Sequence, residues 1–158
     1  MSRELFTSWA DFQRAVDLVL AGAEKRLCVY DADLVQLRLD SEERIAQLQR
    51  LLHLGHADCL RIAVRKGAHV RDHAPRLLKL LSIYGHLMTI VETPDHLSHL
   101  RDSMIIADDR AGVIRFEQSQ ARCKLVMDDP EELSPYVKRF EELWREGNHT
   151  ISPATTGL

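Results

Sequence analysis

Apolar residues recur at helical spacing in Trp9, Phe12, Val16, Val19 and Leu20, which predicts a first helix. Ser8 stands as its N-cap, Asp11 follows three residues on, and Gly22 lies near its end. The short apolar run Leu27-Cys28-Val29-Tyr30 then predicts a strand that leads into Asp31-Ala32-Asp33-Leu34. Ser41 opens a second helix with Ile45, Leu48, Leu51 and Leu52 on one face and Gly55 as its stop. Cys59 to Arg65 predicts another strand, and Lys66-Gly67-Ala68-His69 a turn. A third helix starts at Pro75, carries Leu77, Leu78, Leu80, Leu81 and Tyr84, and ends at Gly85. Leu87 to Val91 predicts the next strand, stopped by Thr93-Pro94.

Past that point the period changes. Three strand-like runs follow in succession, Ser103 to Ala107, Val113 to Gln118 and Arg122 to Met127. Asp108 to Gly112 joins the first two, with Gly112 suited to the hairpin turn. A last helix runs from Pro130 or Glu131 to Arg145. Alternating helices and strands, then a meander, predict an α/β (α+β) sandwich: a mixed sheet of six to seven strands with helices on both faces. Residues 1–147 form one domain in this reading, and 148–158 a loose polar tail. Trp9, Phe12, Phe140 and Trp144 are expected to serve core or dimer packing, the first and last helices lying together on one sheet face.

With 158 residues there is room for one ordinary domain. The 21 Lys and Arg against 24 Asp and Glu leave a net charge of −3, which excludes a general nucleic-acid binder. Cys28, Cys59 and Cys123 are widely spaced within apolar runs and read as buried thiols of a reducing, cytoplasmic compartment. No signal peptide or membrane-length apolar run is visible. Metal binding is not expected of the pairs His53/His56 and His69/His73, because nothing completes a ligand set. The basic segment Arg61, Arg65, Lys66, Arg71 and Arg76 reads as a solvated face, since no aromatics are interleaved with it.

The helix before an acidic-ended strand, the strand-hairpin-strand segment after the third helix, and the closing Phe140-Glu141-Glu142-Leu143-Trp144 together resemble one half of the phospholipase D-like superfamily. Its signature is His-x-Lys-x4-Asp, in which the His is the phosphoryl nucleophile and the Lys holds the phosphate. A Gly-Ser-x-Asn segment on the next strand adds polar support. Against that frame, Asp108 falls on the Asp position, Arg101 on the His and Ser103 on the Lys, while Arg115-Phe116-Glu117-Gln118 falls on Gly-Ser-x-Asn. Arginine stays protonated and cannot serve as the nucleophile. Shifting His99 into the His position places Arg101 on the Lys but Ile106 on the Asp.

The resemblance implies a catalytically degenerate homodimer without a cofactor. It would act as a binding or regulatory module for a phosphate-bearing small molecule, or with a protein partner. The expected anion site comprises Arg101, Arg115, Asp108, Ser103 and His99, and in a dimer four arginines would line one cleft. Two hydrolase alternatives stand beside it. One is a rebuilt phosphodiesterase site using His99. The other is a haloacid dehalogenase-like, Mg²⁺-dependent phosphatase, to whose first motif Val29-Tyr30-Asp31-Ala32-Asp33 is similar, with Asp31 as nucleophile, Asp33 as general acid and Asp108 and Asp109 as metal carboxylates. A helix between Val113 and Met127 would mark the phosphatase.

Overall fold

The computed structural model describes residues 2–147 and 149–153. Eight strands form one sheet in the order β1-β7-β6-β5-β2-β3-β4-β8. β2 (Leu27–Asp31), β3 (Leu60–Val64) and β4 (Met88–Glu92) are parallel, as crossover connections through α2 (Glu42–His53) and α4 (Pro75–Tyr84) require. β5 (Ser103–Ala107), β6 (Ala111–Arg115) and β7 (Cys123–Met127) form an antiparallel meander that joins the other side of β2. The mixed α/β architecture is therefore the one the hydrophobic pattern predicts. With β6 and β7 spanning the segment from Val113 to Met127, the helix that would mark a phosphatase is not formed there.

Alternation along the strands sorts the core into two layers. Leu27, Val29, Ile62, Val64, Ile90, Ile105, Val113 and Leu125 face one side and pack with Phe12, Val16 and Val19 of α1 (Trp9–Gly22). Cys28, Tyr30, Ala63, Met104, Ile106, Ile114 and Val126 face the other and pack with Leu133, Phe140 and Leu143 of α5 (Pro130–Glu146). The first and last helices thus lie on opposite faces, not together. The period of two along each strand leaves both faces apolar, and each needs its own cover.

Further departures have local causes. β1 (Ser2–Phe6) has little apolar pattern of its own and is held by its register with β7. The stretch expected to be a turn continues into a short helix, α3 (Ala68–His73). The tail is not loose at its start: β8 (His149–Thr150) pairs with β4, and Ile151 is buried and donates its N–H to the Ile90 carbonyl at 2.8 Å. Asn148 and residues 154–158 lie outside the described residues. The β5–β6 turn is carried by Asp108 and Asp109, both at positive φ (56° and 57°), with the Arg110 N–H on the Ala107 carbonyl at 3.0 Å. Gly112 lies inside β6, where a Cβ would come within 3.0 Å of the Ile105 carbonyl oxygen. Among the described residues, no helix is long and apolar enough to cross a membrane.

Candidate functional site

In an open sheet with parallel strands, ligands meet the loops at the carboxyl ends of those strands, where the strand order reverses. Here that place is the β2/β5 boundary. Because β5 runs antiparallel to β2, its first residues lie beside the end of β2. A crevice of about 390 Å³ opens there. Ala32 and Asp33 line it after β2, Arg65 and Lys66 after β3, Pro94, Asp95 and Ser98 after β4, Arg101 before β5, and Gln118 after β6.

The floor beneath the crevice is a row of side chains on the α1 face. Ser103 and Arg115 are cross-strand partners, and Cys123 is the partner of Arg115 on β7. The Arg115 side chain is only 1% exposed, as is that of Asp31. Arg115 Nη2 donates to Asp31 Oδ1 at 2.9 Å, and its guanidinium carbon lies 5.2 Å from the Trp9 ring centre and 4.8 Å from that of Phe12. The carboxylate and the two ring faces offset the cost of burying the charge. Burial still pulls the Arg115 pKa below its ordinary value, against the opposing pull of Asp31. Its Nε and Nη1 have no hydrogen-bond partner among the described residues. Asp31 Oδ2 accepts the N–H groups of Asp33 and Leu34 at 3.3 and 2.8 Å and so shapes the loop above it.

Arg101 and Glu117 extend the same strand pair outward. Arg101 Nε donates to both Glu117 oxygens at 3.1 and 3.0 Å, and Nη2 donates to Oε1 at 2.6 Å. Ser119 Oγ donates to the same Oε1 at 3.0 Å. Arg101, with Ser119 assisting, holds the Glu117 carboxyl down at about 2. Arg65 Nη1 donates to the carbonyls of Ser98 and Leu100 at 3.3 and 2.6 Å, which fixes its guanidinium at the rim. The Lys66 side chain is exposed and has no ion-pair partner among the described residues. Gln118 Oε1 is buried without a partner among the described residues.

Of the five residues expected to form the anion site, only Arg101 lines the crevice. Arg115 and Ser103 are sealed beneath it. His99 is exposed, its Nδ1 3.1 Å from the His96 carbonyl oxygen. Asp108 lies at the opposite end of β5, where its carboxylate accepts the N–H groups of Glu24, Lys25 and Arg26 at 2.9, 2.8 and 2.9 Å. Five residues of strand separate Ser103 from that end, so Asp108 and Arg101 occupy different poles of the sheet. The same separation keeps Asp108 and Asp109 away from Asp31 and Asp33, so the four carboxylates of the phosphatase reading do not converge. Asp33 instead accepts the Val35 N–H at 3.0 Å in its own turn.

A hollow of about 430 Å³ near Lys25, Arg26, His56 and Asp108 lies at the far pole. The nearby backbone donors are already taken by Asp108. The basic segment also divides: Arg65 and Lys66 reach the crevice, whereas Arg61 is buried between Phe140 and Trp144 and paired with Glu141. The sequence placed Arg65 and Lys66 on a solvated face; the signal that locates them is their position just past a parallel strand.

The strand order and the flanking helices are those of the phospholipase D-like fold. Nuc from Salmonella typhimurium, a phospholipase D family member, has this fold with a TM-score of 0.63 and 11% identity, over 94% of this chain and 97% of its own. NucT from Helicobacter pylori matches with a TM-score of 0.64 and 10% identity, over 94% and 98%. TrmBL2, an archaeal chromatin protein with a novel mode of DNA binding, matches with a TM-score of 0.70 and 11% identity over 94% of this chain, which spans only 54% of TrmBL2. The chain belongs to the domain of unknown function family DUF7931, whose family model matches residues 8–152. No curated protein sequence matches it.

Proposed function

We propose that this domain binds a phosphate ester in the crevice at the ends of β2, β3 and β4 and does not cleave it. What supports this reading is the content of the positions that the resemblance assigns to the motif. Arg101 and Ser103 stand in place of imidazole and ammonium, and Arg115 fills the floor from the position of a glycine. A guanidinium held by Asp31 under two rings can neither attack phosphorus nor leave room for the group that would. At the rim, Arg65, Lys66 and Arg101 supply donors of the kind that meet phosphate oxygens. The volume of about 390 Å³ suits a ligand of mononucleotide size. In a homodimer, two such crevices would face each other, with Arg101 and not Arg115 contributed by each chain.

Calorimetric titration with inorganic phosphate, AMP and a short DNA oligonucleotide tests the binding. A screen of phosphodiester and phosphomonoester substrates, with and without Mg²⁺, tests the absence of turnover. Binding of phosphate or AMP that is weakened at least tenfold by Lys66→Ala and Arg65→Ala, with no hydrolysis, is the expected result. Turnover lost in His99→Ala or in Asp31→Asn would overturn it in favour of a hydrolase. Binding of the oligonucleotide alone would redirect it to nucleic acid. Sedimentation velocity reads the dimer.

A further inference from the structure

The guanidinium that Arg101 brings to the crevice already holds a carboxylate. Arg101 presents an edge of its guanidinium to Glu117 in a forked pair, the geometry in which arginine takes a phosphate. Ser119 Oγ also donates to that carboxylate, at the Oε1 that Arg101 Nη2 engages. The pair is exposed, at 52% for the Arg101 side chain and 30% for Glu117, so an incoming ligand reaches it without opening the core. Lys66, on the same crevice, forms no ion pair among the described residues.

We propose that Glu117 is an internal stand-in for the ligand's phosphate: it occupies the Arg101 fork in the empty state and is displaced when a phosphate ester binds. This rests on the binding reading above and adds its regulation. Glu117 stays an anion throughout the neutral range, held low by Arg101. Displacement therefore comes from a competing anion and not from protonation. An exposed ion pair is weak, so the barrier it sets is modest and tunes affinity without closing the site. It also favours a phosphomonoester dianion, which outbids a carboxylate at an arginine fork, over a singly charged diester.

The test is titration with inorganic phosphate and AMP of wild type, Glu117→Gln, Asp72→Asn (an exposed carboxylate on α3 outside the crevice) and the pair Arg101→Gln and Arg101→Gln/Glu117→Gln. Glu117→Gln is expected to bind about fivefold more tightly, the scale of an exposed ion pair at the strong end of its range. That gain should vanish in the Arg101→Gln background and be absent from Asp72→Asn. Equal gains from Asp72→Asn, or a gain that survives without Arg101, would reduce the effect to net charge and overturn the stand-in. Equal phosphate affinity of wild type and Glu117→Gln would also overturn it while leaving the binding reading intact. No binding by either protein would sink both.

Discussion

Arg115 is the residue on which the floor of the site turns. It is fully buried, carries a charge, and has two donors without partners among the described residues, so its position depends on Asp31 and on the rings of Trp9 and Phe12. Breaking a buried ion pair costs more than replacing it, because the surviving charge is left without compensation. Arg115→Met and Asp31→Asn should each destabilise the protein by about 3–5 kcal/mol in urea denaturation. The double variant should lose markedly less than the sum of the two. Additive losses would show that the pair is not coupled. Asp31 was legible in the sequence as an acidic strand end. Its partner was not, because the two are 84 residues apart and meet only through the β2-β5-β6 register.

At the scale of elements, Asp108 ties two connections together. It sits at positive φ in the β5–β6 turn, and its carboxylate takes three consecutive N–H groups between α1 and β2. Asp108→Ala leaves those donors to water and removes charge-assisted bonds. It should cost about 2–3 kcal/mol and speed amide exchange at residues 24–26. Phosphate affinity should not change, because the crevice lies at the other end of β5. A loss of affinity with intact stability would place Asp108 in the site after all. The seven-residue spacing put Asp108 in one site with Arg101, whereas the two lie at opposite ends of β5. A spacing alone does not say which end of a strand a side chain serves.

The molecule as a whole buries acids that hold their protons. Burial pushes Cys28 and Cys123 up to about 11, Arg61 and Arg115 respectively opposing it, and pushes Tyr30 up to about 12. The unfolded chain sheds these protons first, so their contribution to stability is complete below the ordinary thiol value of 9.0. It is lost as pH rises through the folded values. Urea midpoints should therefore be flat from about pH 7 to 8.5 and fall steadily above about pH 9. Cys28→Ala and Cys123→Ala should flatten the fall. A midpoint that rises above pH 9 would contradict the sign.

Periodicity alone determined the helices α1, α2, α4 and α5, the strands β2 to β7 and the mixed sheet, because each is written in local spacing and burial. It missed β1 and β8, which have no pattern of their own and exist because a neighbouring strand offers hydrogen bonds. It also missed the opposite placement of α1 and α5, which depends on two apolar sheet faces each needing cover. What only the tertiary structure decided is which candidate residues meet: antiparallel pairing of β5 with β2 carries Arg101 to the crevice with Arg65 and Lys66, buries Arg115 on Asp31, and leaves Asp108 at the far pole. Those meetings follow from strand direction and register, which residues far apart in the chain set together.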